Sequence, residues 1–141
     1  MIHAVYEFLA RIGYTHPIHP PITHLPVGLT IGALIFTLIA VIFGREKLRL
    51  SAWHCAVLAL VGVLPTALLG YMDWQERMGG AWMPVIGWKI GLASGLFVLL
   101  FAALFVSRKG RMGFALSILL YVICFGLVMT LGFLGGTLVY G

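Results

Sequence analysis

The sequence predicts an all-α fold: an integral membrane four-helix bundle with both termini on the outer (periplasmic) face, preceded by a short interfacial amphipathic helix. Three observations carry this. Hydrophobic residues fill 62% of the 141 positions and charged residues only 9%, and the mean hydropathy is +1.09, which leaves too few polar groups to cover a soluble domain. The apolar residues fall in four stretches, each near the roughly 20 residues a helix needs to cross a bilayer. Six of the nine Lys and Arg residues crowd into two short loops: Arg45, Lys47 and Arg49, then Arg108, Lys109 and Arg111. The four stretches and their connections consume the chain, so 1–141 is expected to be a single membrane domain.

Residues 1–14 are too polar to span. At helical spacing Ile2, Val5, Leu9 and Ile12 share one face and His3, Glu7 and Arg11 another, the pattern of a helix lying in the membrane interface. This segment has no basic stretch ahead of an apolar run and no small-residue cleavage site, so the first span is expected to direct insertion. Residues 15–26, the His/Pro segment, carry Pro17, Pro20, Pro21 and Pro26. Proline lacks a backbone donor and restricts the residue before it, so most of this segment is expected to be extended and stiff. The spans follow at about 22–43, 51–72, 87–106 and 113–138. Pro26 falls in the first turn of the first span, and Pro65 is a kink candidate in the second.

The cation bias of the tight loops places them in the cytoplasm by the positive-inside rule, leaving the His/Pro segment and the Trp-rich 73–89 segment outside. The expected location is a bacterial inner membrane, multi-pass. Trp74, Trp82 and Trp88 match an aromatic belt on the outer side and Trp53 one on the inner side. A net charge of +5 in a soluble protein would point to nucleic acid. Here the cations read as topology signals and lipid contacts, so the expected partner is the bilayer and nucleic acid is excluded. Cys55 and Cys124 lie in apolar stretches at different depths and read as packing residues. No hydrolase acid pair or phosphate-binding glycine loop is present.

The chemistry-bearing residues are the histidines. His16, His19 and His24 sit in the His/Pro segment, where proline lowers the entropic cost of holding ligands in place. His54 sits near the inner end of the second span. Coordinating groups at membrane depth default to a functional hypothesis, against the plain alternative of solvated or snorkelling side chains. Asp73 is placed to orient a ligating imidazole through its second nitrogen. Lys89, at the start of the third span, can snorkel to phosphates or meet a haem propionate or a quinone oxygen. Glycines at Gly28 and Gly32, at Gly87, Gly91 and Gly95, and at Gly132, Gly135 and Gly136 permit close helix contact or leave room for a flat ligand such as a porphyrin.

The pattern His19-Pro20-x-x-x-His24-x-Pro26 resembles the signature of the domain-of-unknown-function 2231 family of small four-span membrane proteins. Gly70-Tyr71-Met72-Asp73-Trp74 resembles that family's ending of its second span. Gly132-Phe133-Leu134-Gly135-Gly136-Thr137-Leu138-Val139-Tyr140-Gly141 resembles its C-terminal ending. The resemblance implies a haem-b-binding or redox-associated protein. Many relatives carry histidine where this chain has Phe133, and some at the start of span three. Spans three and four here have none, so any such ligand must come from another residue or another chain.

Three functions follow as expectations. The first is a b-type cytochrome passing electrons between the quinone pool and an outer-face redox protein, such as a multihaem c-type cytochrome. It would hold one or two haem b groups, with His24 and His19 or His16 outside. Inside, His54 would pair with Met112, a symmetric His54 of a homodimer, or nothing. The second is a copper or zinc site of His16, His19, His24 and Asp73. The third is a cofactor-free assembly subunit. An electron carrier within an oxidoreductase is expected over a stand-alone enzyme.

Overall fold

A computed structural model describes the backbone of residues 2–140 and the side chains of residues 2–137. Five helices follow one another: α1 (Ile2–Arg11), α2 (His19–Ile42), α3 (Leu48–Met78), α4 (Pro84–Val106) and α5 (Gly110–Tyr140). Helices α2 to α5 are each long and apolar enough to cross a membrane. α2 packs on α3 and α5, and α4 packs on α3 and α5, while among the described residues the backbones of the diagonal pairs stay apart, with no Cα atoms within 8 Å. The four long helices therefore form a closed antiparallel ring.

Small residues make the α2–α3 seam. The buried positions of α2 are Pro26, Thr30, Ala33, Thr37 and Ala40, alternating steps of four and three that keep one narrow stripe facing inward. Ala52, Ala56, Ala59, Gly62 and Val63 face them from α3. A Cβ on Gly62 would lie 3.6 Å from the Pro26 ring, and one on Gly32 would lie 3.5 Å from Cys55 Sγ. In a membrane, van der Waals contact between close backbones holds helices together, which is why small residues sit here. The larger Leu96, Leu100, Tyr121 and Val128 of α4 and α5 fill the centre. Thr30 and Thr37 are wholly buried, and their hydroxyls donate to Pro26 O and Ala33 O, each at 2.7 Å, so a polar atom in the core is satisfied by its own helix. Cys55 and Cys124 are free thiols.

The His/Pro segment departs from the extended conformation expected across 15–26. Helix α2 begins at His19, with Pro20 and Pro21 in its first turn and Pro26 inside it. First-turn residues have no intrahelical acceptor for their N–H, so proline costs nothing there. α3 runs as one helix through Pro65 and continues to Met78, beyond the apolar stretch. That last polar turn carries Asp73, Trp74, Glu76 and Arg77. It stops at Gly79, whose φ of 58° places it in the left-handed region where glycine is favoured.

Candidate functional site

The N-terminus of α2, the last turns of α3, the start of α4 and the end of α5 meet at one end of the bundle. α2 has no side-chain cap of its own, because Ile18 precedes its first residue. Asp73 of α3 supplies one. The backbone N–H of His19 donates to Asp73 Oδ2 at 2.8 Å, and that of Ile18 donates to Oδ1 at 3.2 Å. A carboxylate suits the positive end of a helix dipole. The Tyr6 hydroxyl of α1 donates to the same Oδ1. Burial first, then this bond, push the Tyr6 phenol above its ordinary range, so it stays protonated and donating.

Capping by Asp73 fixes where the His19 side chain starts, and α3 fixes where it ends. The His19 ring Nδ1 lies 2.8 Å from Thr66 O. A carbonyl only accepts, so Nδ1 carries the proton and Nε2 keeps the lone pair. The ring lies against Gly70, where a Cβ would sit 2.9 Å from Nδ1 and 3.0 Å from Cε1. Thr66, Gly70 and Asp73 are spaced four and three apart, so one face of α3 holds the ring, leaves room for it and caps its backbone.

Lys89 completes the cluster from α4. It is half-buried and makes no ion pair among the described residues. Asp73 and His19 lie within its electrostatic reach. A Cβ on Gly135 of α5 would come 4.0 Å from its Nζ. The arrangement presents an oriented imidazole lone pair at the same end of the bundle as a cation. It can ligate a metal centre through one nitrogen and neutralise an acidic group nearby.

The other expected site residues are spread apart. His24 is exposed on α2, and five residues beyond His19 it lies about 140° further round the helix. His16 is exposed before α2, edge-on to Tyr14 with ring centroids 6.0 Å apart. His54 is exposed on α3 toward the opposite end, edge-on to Trp53 at 5.4 Å. Gly28 and Gly91 face open space. Among the described residues no three His, Cys, Asp or Glu side chains gather as a metal-binding group. Asp73 receives backbone donors rather than an imidazole nitrogen, and the Thr66 carbonyl takes the orienting role expected of it. Sequence reasoning missed Thr66 and Tyr6; the four-and-three spacing from Thr66 to Asp73 was the signal for the first.

Above this site lies α1. His3 Nδ1 is 2.8 Å from Glu76 Oε1 of α3 and its Nε2 is 3.4 Å from Glu7 Oε1. The hydrogen bond to Glu76, then the nearby carboxylates, hold the His3 imidazole above its ordinary value. Arg77 Nη2 donates to Thr15 O at 2.5 Å, tying the segment between α1 and α2 to the same turn of α3.

No curated protein and no solved structure matches the chain. The model of one family matches residues 15–141, from just after α1 through all four long helices, and the chain belongs to that family, described as predicted membrane protein (DUF2231).

Proposed function

We propose that this protein is a b-type haem membrane protein that carries electrons at or across a bacterial inner membrane, between quinol and a redox protein at the outer face. The observation that supports it most is the His19 imidazole, whose Nδ1 is held by the Thr66 carbonyl so that Nε2 keeps its lone pair. Metal-ligating histidines characteristically donate their other ring nitrogen in this way. The tight-loop cations favour an orientation with the His19 end outside.

The residues at this end offer one ligand and one counter-charge for a haem. His19 Nε2 would hold the iron, and Lys89, free of ion pairs among the described residues, would meet a propionate. Gly135, adjoining Lys89, would leave a side free for the ring. Bound there, haem supplies a one-electron iron couple. The chain's own part is to orient the imidazole through Thr66 and hold its backbone through Asp73. It also places a cation at the same end of the bundle. His24 lies on another face of α2, so any second ligand would have to come from a second copy of the chain. A copper or zinc site is less well supported, because Asp73 already accepts from Ile18, His19 and Tyr6.

Detergent-purified protein should show a Soret band and a b-type pyridine haemochrome. His19→Ala should abolish both, while His16→Ala, His24→Ala and His54→Ala leave them in place. Colourless protein after expression with ample haem would sink the reading in favour of a cofactor-free subunit, as would a Soret band indifferent to His19→Ala.

A further inference from the structure

The opposite end of the bundle, where both tight loops lie, holds a cavity of about 250 Å³ between α2, α3 and α5. Two arginines stand at its rim, each laid against an aromatic ring. The guanidinium of Arg49 is 3.9 Å over Phe114, and that of Arg108 is 4.6 Å over Trp53. Stacking uses the face of a guanidinium and leaves its in-plane donors free. Arg49 Nη2 spends one on Glu46, at 3.1 Å; Arg108 has no ion pair among the described residues. The inner wall carries hydroxyls. Those of Thr37 and Ser117 donate to carbonyls of their own helices, each at 2.7 Å. Tyr121, 1% exposed, also lines the cavity, and its hydroxyl has no hydrogen-bond partner among the described residues.

We infer that this cavity is a binding site for a phosphate ester, with the phosphate between Arg49 and Arg108 and an ester or hydroxyl oxygen accepting from Tyr121. Two pre-stacked guanidinium forks match the geometry of a phosphate. An orphaned, deeply buried hydroxyl lacks an acceptor, which the ester oxygens of such a ligand supply. The volume is below the roughly 300–1,000 Å³ of a typical drug-sized site, so it admits a headgroup and not a whole cofactor. Under the orientation proposed above this end faces the cytoplasmic leaflet, where basic pockets between helices take anionic lipid headgroups. A soluble phosphomonoester carries the same chemistry. Glu46 opposes the anion at the rim, which sets a sign for its substitution.

The test is a titration of the full chain in detergent with short-chain phosphatidylglycerol, with glycerol 3-phosphate and with short-chain phosphatidylcholine, followed by calorimetry. Saturable binding of the first names a lipid as the source; saturable binding of the second names a soluble ester. Either should weaken at least tenfold in the pair Arg49→Gln/Arg108→Gln and several-fold in Tyr121→Phe, and tighten in Glu46→Gln. Tyr121→Phe should leave the melting temperature of the unliganded protein undiminished, because it removes a hydroxyl without a partner. Lys109→Gln, a loop cation lying over Phe105, should bind like the parent. The inference is overturned if neither anion binds saturably or phosphatidylcholine binds equally well. Loss of affinity in Lys109→Gln equal to that in Arg108→Gln would also overturn it. None of these outcomes touches the haem reading, which rests on the other end of the molecule.

Discussion

At the scale of single residues, the seat of His19 depends on what Gly70 lacks. The His19 ring occupies the volume its side chain would take, and that ring is not free to retreat. Its Nδ1 is bonded to Thr66 O and its backbone nitrogen to Asp73. Gly70→Ala would bring a Cβ to 2.9 Å of Nδ1, so the ring must swing away and break the Thr66 bond. Alanine improves helix propensity by up to about 1 kcal/mol, but overpacking costs about 1–3 kcal/mol and a lost hydrogen bond about 1 kcal/mol. Gly70→Ala should therefore lower thermal stability in detergent by about 1–3 kcal/mol. Gly28→Ala is the control: its Cβ would meet nothing within 4 Å, so it should be neutral or slightly stabilising. Equal effects of the two would mean that His19 does not hold its place against α3. Residue types alone made His19, Asp73 and Gly70 visible as motif positions. They could not show that Gly70 exists for His19, because the register between two helices is set by side chains along their whole seam.

At the scale of elements, the first turn of α2 is stabilised from outside itself. Pro20 and Pro21 argue against a helix when each is read alone, yet both fit a first turn whose N–H groups have no intrahelical use. The cap that makes the turn worthwhile comes from Asp73, more than fifty residues later in the chain. This is why the start of α2 was not legible in local sequence, whereas the four apolar helices were: their signal is composition summed over a long window. Asp73→Ala removes acceptors for Ile18, His19 and Tyr6 together. It should destabilise by about 2–4 kcal/mol, from a lost cap and bonds to a charged group. Tyr6→Phe loses only the α1 contact and should cost about 1 kcal/mol. Hydrogen exchange separates them: Asp73→Ala should deprotect the amides of Ile18, His19, Ile22 and Thr23, and Tyr6→Phe should not. The seat of α1 also depends on pH. The His3 value is raised by Glu76 and Glu7, so its protonated form favours the docked helix. That contribution is fully present below pH 6.5, the ordinary value, and is lost as pH rises through the higher value of the docked state. Proteolysis within residues 1–14 should accelerate as pH rises above 6.5, and His3→Gln should flatten that dependence. A parent rate that falls as pH rises would contradict the His3–Glu76 contact.

At the scale of the whole molecule, the ring of four helices has two chemically different mouths. One carries His19, Lys89 and the α1 helix seated over Asp73; the other carries Arg49, Arg108 and the cavity between α2, α3 and α5. Between them the core is built of Ala, Leu, Val and back-bonded Thr, with Tyr121 and Cys124, and among the described residues no side-chain hydrogen bond joins one mouth to the other. Function therefore depends on which mouth faces which compartment. The tight loops hold six cations, Arg45, Lys47, Arg49, Arg108, Lys109 and Arg111, against three elsewhere, Arg11, Arg77 and Lys89. That excess should hold the tight loops in the cytoplasm. Ala81 and Lys109 are exposed at opposite mouths, so Ala81→Cys and Lys109→Cys report orientation with an impermeant maleimide. In spheroplasts Ala81→Cys should react at once and Lys109→Cys only after the membrane is opened. Replacing Arg45, Lys47, Lys109 and Arg111 with glutamine spares the two arginines of the cavity and cuts the tight-loop count from six to two, now below the three elsewhere. With the bias gone, a cysteine at Ala81 should label partly from each side. If Lys109→Cys in the otherwise unaltered chain reacts from outside, the orientation is reversed. The His19 mouth would then face the cytoplasm, and an outer redox partner could no longer reach it.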